Sequence, residues 1–211
     1  QYPWYRPRHS AFRAALVLEH ADGATEKIVT GDGEWTAAYQ GPVRDAGIYE
    51  GERYDAREET LPPPTARAVP CEEPVGACVP AEGPGVMLRE DLAMRPVGWK
   101  GPVELEPWKR HVFDFGQNCA AVPRFRVEGP AGTVLTLRTG EMLNDTGDFR
   151  RGNDGPAGSL YRANLRKAPS FVKYILRGGG EEYLPRHTYF GYRFCDIEVS
   201  SPVRLVSLES V

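Results

Sequence analysis

No run in these 211 residues approaches the ~20 apolar side chains that a membrane helix requires, so nothing reads as a transmembrane segment. The start, Gln1 to Ser10, has no apolar signal-peptide core. Positive charge is not in excess: 26 Lys and Arg against 29 Asp and Glu give a formal charge of −3 and a pI near 5.9, which leaves no basic footprint for nucleic acid. Cysteine is scarce, and none of Cys71, Cys78, Cys119 and Cys195 stands at the CxxC spacing of a zinc site. Cys119 and Cys195 fall within predicted strands as small apolar residues. Only Cys71 and Cys78, in a proline-rich loop, are placed to pair, and pairing would require an oxidising compartment. His9, His20, His111 and His187 show no ligand spacing to one another. There is no Walker loop, HExxH, GxSxG or dinucleotide fingerprint. The carboxylates are too many for any two to be named a glycosidase acid/base pair from their count.

Glycine and proline are plentiful, at 23 and 19 residues, while aromatics are 10%. That mixture suits short strands and tight turns and predicts an all-β chain, long enough for one large or two small domains. His111 to Leu143 is the most strongly patterned stretch. It reads as two strands joined as a hairpin at Gly129-Pro130-Ala131-Gly132, with Val134, Thr136 and Arg138 alternating against Leu135, Leu137 and Thr139. A period of two over that length means a sheet with one face in a core. The ends of these strands carry Asp114, Gln117, Asn118, Glu141 and Asp145, oxygen-rich groups suited to sugar hydroxyls or to a hard cation such as calcium. If the strands pair about the glycine turn, Asn118 and Glu141 converge at one end of the sheet.

Elsewhere, Phe12 to His20 fits a helical face or a buried strand, and the Asp22-Gly23 pair that follows decides for a β-hairpin with Thr25 to Thr30. Trp35 is expected to cap a sandwich core. Gly41 to Glu59 is dense in Tyr, Arg and carboxylates, and reads either as a solvated loop with ion pairs or as a ligand-facing edge formed by Tyr49, Glu50, Glu52, Tyr54, Asp55 and Arg57. Leu61 to Pro84 holds seven prolines, which forbid a helix or a central strand and mark a semi-rigid linker. Phe149 to Ser159 is a long polar loop, a length uncommon without a function. Phe171 to Leu176 and Phe194 to Val199 are strands.

Several of these stretches, in order, resemble the region that precedes the catalytic domain in bacterial α-L-rhamnosidases of glycoside hydrolase family 78. Asp22-Gly23 with Thr30 and Trp35 is similar to that family's first hairpin, and Ile48 to Arg57 (IYEGERYDAR) to its "YDGExYDAR" segment. Phe113 to Asn118 resembles "DFGQN", Gly129 to Thr133 the "G-x-AGT" turn, Glu141 to Leu143 the "E-x-L" strand end, and Pro185 to Phe194 (PRHTYFGYRF) the "PRFTYHGFRY" segment. A family "D-x-Y" appears here as Val172-Lys173-Tyr174, and the glycine that usually follows DFGQN is replaced around Cys119.

The resemblance implies two β-sandwich, jelly-roll-like modules ahead of an (α/α)6-barrel that holds the general acid and base. The expected domains are a partial N-terminal module at 1–60 that looks clipped at its start, a linker at 61–84, a second, concanavalin-like module at 85–205, and from 206 to 211 the start of a linker to the barrel. No residue matches the family's catalytic carboxylates, so the region by itself is expected to be inactive. Its partner is expected to be the barrel of the same polypeptide, with capture of a rhamnose-containing saccharide, aided or not by calcium, as the alternative. In that alternative the saccharide-facing residues are Asp114, Gln117, Asn118, Glu141, Asp145, Tyr54, Asp55 and Arg57. Gly116 and Gly191 are expected where strands bend, and Arg186 and Arg193 where they can pair with Glu141 or Asp114.

Overall fold

The computed structural model describes residues 12–30, 35–38, 41–60, 66–67, 83 and 85–211. In chain order the strands begin with β1 (Ala15–Glu19), β2 (Thr25–Val29), β3 (Thr36–Ala37), β4 (Val43–Gly47), β5 (Gly51–Asp55), β6 (Ala66–Arg67), β7 (Val103–Leu105) and β8 (His111–Ala121). They continue with β9 (Pro123–Gly129), β10 (Val134–Gly140), β11 (Met142–Leu143), β12 (Leu160–Tyr161), β13 (Phe171–Ile175), β14 (Gly179–Tyr183), β15 (Phe190–Val199) and β16 (Val203–Ser210). Among the described residues there is no α-helix, only single 3-10 turns such as Ala56–Glu58 and Ala163–Leu165. The chain is all-β, as its composition predicts.

Contacts divide it into two compact bodies, one of residues 1–40 and 61–84, the other of residues 41–60 and 85–211. In the first, β1 and β2 form the hairpin that Asp22-Gly23 predicts. Gly23 takes φ +83°, and Asp22 Oδ1 accepts from the Ala24 N–H at 2.9 Å, which fixes the turn. Trp35 meets Phe12 edge-to-face at 5.7 Å and donates from Nε1 to the Val29 carbonyl at 3.1 Å. β3 pairs with β6. The proline-rich segment, with Cys71 and Cys78, lies almost wholly outside the described residues.

The second body is a β-sandwich. One sheet has the strand order β4-β5-β13-β10-β15-β8, the other β14-β9-β16-β7. Alternation decides what each strand buries: on β10, Leu135, Leu137 and Thr139 are fully buried while Val134, Thr136 and Arg138 face outward. β13 does the same with Val172 and Tyr174 inward, and β15 with Cys195, Ile197 and Val199. Phe125 and Val127 of β9 and Leu205 and Leu208 of β16 oppose them from the smaller sheet. Each such side chain contributes ~2–3 kcal/mol by leaving water.

One expectation is corrected here. β9 and β10 do not pair as a hairpin; Gly129 to Thr133 carries the chain from the four-stranded sheet to the six-stranded one. Both strands alternate because both line the core, and the period of two is blind to which neighbour a strand takes. Residues 41–60 supply β4 and β5 to the six-stranded sheet, where β5 runs parallel to β13 with Gly51 opposite Phe171 and Asp55 opposite Ile175. β16 runs to Ser210, and Val211 after it exchanges two backbone bonds of 3.0 Å with Val122.

Candidate functional site

The residues singled out by sequence separate into two groups at opposite ends of the six-stranded sheet. Asp55 lies level with Ile175 and Val134, while Asp114 lies level with Phe194 and Gly140. The six steps of β10 between those levels separate the groups by about 20 Å along the strands, and the four strand spacings from β5 to β8 by about as much across the sheet.

At the first end, Asp55 is buried and accepts a two-point contact from Arg57, Nε to Oδ1 at 2.9 Å and Nη2 to Oδ2 at 2.8 Å. Oδ1 also takes the Arg57 backbone N–H, so the carboxylate caps the 3-10 turn that follows β5. The Arg57 hydrogen bonds hold the Asp55 carboxyl below its ordinary range. Tyr54 packs against Tyr174 and Tyr183, with ring centroids at 5.8 and 4.6 Å, and its hydroxyl donates to Glu59 at 3.3 Å. Burial raises the Tyr54 phenol above its usual value. This group stabilises the strand end and the aromatic cluster around Phe125.

At the second end a rim forms, though not by the predicted route. β8 and β10 are both neighbours of β15, and that shared neighbour, not a hairpin, brings Asn118 and Glu141 together. Asn118 Nδ2 donates to Glu141 Oε1 at 3.1 Å, and Asn164, which sequence reasoning missed, reaches Glu141 Oε2 at 3.5 Å. Arg193 lies opposite a bulge in β8, where the four residues Phe115 to Asn118 stand against it alone between the pairs Tyr192–Cys119 and Phe194–Asp114. The bulge aims it at Asp114, which it grips at 2.8 Å through Nε and again at 2.8 Å through Nη2. Asp114 Oδ1 accepts in addition from the Gly116 N–H, where φ is +80° and the strand bends. The Arg193 bonds depress the Asp114 carboxyl. Gln117 is exposed beside this pair. Gly191, expected at a similar bend, has ordinary φ and open space around it, so nothing in its surroundings demands glycine.

Asp145 stands in the polar loop after β11. Its Oδ1 accepts from Asn153 Nδ2 at 2.8 Å, from the Thr146 N–H at 2.6 Å and from the Thr146 hydroxyl at 3.0 Å, and these bonds, that to Asn153 foremost, lower its pKa. Buried Asn144 ties the far side of the loop to Asp154 and Ser159. Calcium at the rim would have to displace Arg193 from Asp114 or the loop donors from Asp145. Among the described residues no group of three or more His, Cys, Asp or Glu side chains gathers as a metal site.

Glu52, expected at a ligand-facing edge, is instead turned into the body. It is 1% exposed, and it accepts from the Tyr183 hydroxyl, from the Arg186 N–H at 3.2 Å and from the His187 N–H at 2.8 Å. The segment YEGERYDAR thus clasps the segment PRHTYFGYRF through one carboxylate. Gly51 is required beside it: φ is +94°, and a Cβ would stand 2.0 Å from the Phe171 carbonyl oxygen. Of the two arginines expected to pair at the rim, Arg193 does so with Asp114, whereas Arg186 serves through its backbone.

Residues 105–211 match the bacterial α-L-rhamnosidase concanavalin-like domain, and residues 1–64 match the α-L-rhamnosidase N-terminal domain. An α-L-rhamnosidase of Streptomyces avermitilis is 35% identical over 198 residues, which cover 89% of this chain and 17% of that protein. An α-L-rhamnosidase of Alteromonas sp. (strain LOR) is 32% identical, with 92% of this chain and 20% of that protein covered. The crystal structure of the Streptomyces avermitilis α-L-rhamnosidase complexed with L-rhamnose superimposes with a TM-score of 0.68 at 31% identity, over 93% of this chain and 19% of that one. The chain therefore spans about a fifth of the length of the relatives it matches.

Proposed function

The chain belongs to the bacterial α-L-rhamnosidase family, through its concanavalin-like domain, and from that membership we propose that it is an accessory region of a longer α-L-rhamnosidase, buttressing the catalytic domain and performing no hydrolysis itself. The observation that carries this reading is the employment of the motif carboxylates. Glu52 holds a loop, Asp55 caps a turn, Asp114 grips Arg193 and Asp145 orders its own loop. Acid/base hydrolysis needs one carboxyl free to give a proton and one free to activate water or attack. Asp55 and Asp114, held ionised by arginine donors, and Glu52 and Asp145, engaged by other donors, are not free for either step.

The rim supports the same reading from another side. Ile48, Tyr49, Met142 and Tyr189 are each 50% or more exposed at the end where Thr188 bonds to the Gly47 carbonyl and Tyr49 bonds to the Arg166 carbonyl. Apolar surface gathered in that way marks contact with another protein body. The catalytic region of the longer protein, produced with and without residues 1–211, tests the proposal. Its melting temperature is expected to be higher by about 5 °C or more when the region is attached. Equal melting temperatures overturn the buttress.

A further inference from the structure

The outer face of the six-stranded sheet carries a concavity of ≈ 440 Å³, away from the rim, with Arg53, Lys173, Arg138, Phe171, Glu198 and Trp108 among its walls. The parallel register sets Lys173 directly opposite Arg53. Like charges directly opposite one another across strands are destabilising, so such a pair is retained against a cost. Among the described residues no carboxylate stands within ion-pair distance of either cation, even though Asp45 lies opposite Arg53 on β4. The Arg53 guanidinium rests instead over the Phe171 ring, 5.4 Å from its centroid. The carboxylates of the neighbouring strand are occupied: Arg138 donates to Asp196 at 3.0 Å and to Glu198 at 3.5 Å, and Arg110 also donates to Glu198.

The other wall is Trp108. It is 74% exposed, at φ +60°, and its N–H is bonded to the Val199 carbonyl at 2.9 Å. A bulky residue in the left-handed region costs of order 1–3 kcal/mol and persists where its surroundings hold it. The result is an indole presented to solvent beside a groove that holds two cations with no carboxylate in ion-pair contact. The span between them is three strand spacings, about 14 Å.

From the cation pair, the concavity and the presented indole, we infer that this face binds an anionic oligosaccharide, the carboxylate or sulfate group of one sugar on Arg53 and Lys173 and the ring of another against Trp108. The cations supply charge-assisted hydrogen bonds to the anionic group, and the indole supplies apolar area to the sugar's C–H face. A neutral sugar would leave both cations as they are. This site is separate from the rim, and it does not depend on the buttress reading.

The test is a titration of the 211-residue chain with a glucuronate tetrasaccharide, sodium sulfate, L-rhamnose and a poly-glutamate peptide, followed by amide chemical shifts and thermal melting. The glucuronate tetrasaccharide is expected to bind at about millimolar Kd, sulfate more weakly and rhamnose not at this face. Raising NaCl from about 50 to about 500 mM should weaken the glucuronate response. Lys173→Glu should reduce glucuronate affinity about tenfold while raising the melting temperature by about 1–3 °C, because it turns a like-charge pair into an opposite one. That joint change distinguishes loss of a site from loss of the fold. Trp108→Ala should weaken glucuronate and leave sulfate unchanged. No shift at the groove residues, or rhamnose binding there as well as glucuronate, overturns the inference. Equal affinity for sulfate and glucuronate with Trp108→Ala silent reduces the face to a bare anion site and overturns its saccharide part. Response to a poly-glutamate peptide alone assigns it to an acidic protein surface and overturns it equally.

Discussion

The clasp around Glu52 and the rim around Glu141 are built from residues of the same kind, and their surroundings make opposite things of them. Glu52 is enclosed, with three protein donors on its carboxylate. Glu141 is exposed, with two asparagine amides at 3.1 and 3.5 Å that water can replace. A buried carboxylate is retained only where its donors are complete, and removing it strands every one of them. A rim carboxylate can be lost with little consequence to the fold. Burial, not residue type, decides which glutamate the sandwich depends upon.

Substitutions can break that comparison, and the largest effect is expected at the clasp. Glu52→Ala leaves the Tyr183 hydroxyl and the Arg186 and His187 N–H groups unpaired, at a cost of ~3–5 kcal/mol, or about 8–15 °C in melting temperature for a domain of this size. Calorimetry that finds less than about 2 °C would contradict the clasp. Asp55→Asn comes next, at ~1–2 kcal/mol, since the cap survives in part and Arg57 is half-exposed. Its signature is in pH. The folded carboxyl is depressed below its ordinary 3.8 by Arg57, so its contribution is complete above about pH 4 and fades as pH falls through the folded pKa. Wild type should therefore lose stability below pH 4 more steeply than Asp55→Asn in acid-melting curves.

Asp114→Asn should behave in the same direction with a smaller amplitude. Arg193 and Asp114 are 42% and 35% exposed, and solvent screening leaves the pair ~0.5–1 kcal/mol. Smallest is the rim. Asn118→Ala with Glu141→Ala should move the melting temperature by no more than about 2 °C. Calorimetric titration of the chain with rhamnose, with and without calcium, should show no heat lost in that double variant. Rim-dependent heat at millimolar rhamnose would instead make the rim a sugar site.

The fold class and the first hairpin were readable because each has a local cause: glycine and proline density, and an Asp-Gly turn that only a few backbone geometries satisfy. Sheet membership was not readable. Leu135 and Phe125 alternate alike whether their strands pair with each other or face each other across a core, and Gly129-Pro130-Ala131-Gly132 serves a crossing as well as a hairpin. Asn118 and Glu141 were matched through a hairpin that does not exist, and they meet because both strands flank β15. β5 was hidden for a different reason. Its inward residues include Gly51, Glu52 and Asp55, which carry no apolar pattern, and their partners, Phe171 and the backbone of Arg186 and His187, lie far along the chain. Glu52 was legible as one carboxylate of a ligand-facing edge, but not as a buried one, because the donors that hold it lie far along the chain.

The central claim is that the carboxylates of this region hold structure and do not hydrolyse. Incubation of the purified 211-residue chain with a nitrophenyl α-L-rhamnoside measures it directly. Nitrophenol should appear no faster than in buffer. Steady release that scales with the concentration of the chain would contradict the account.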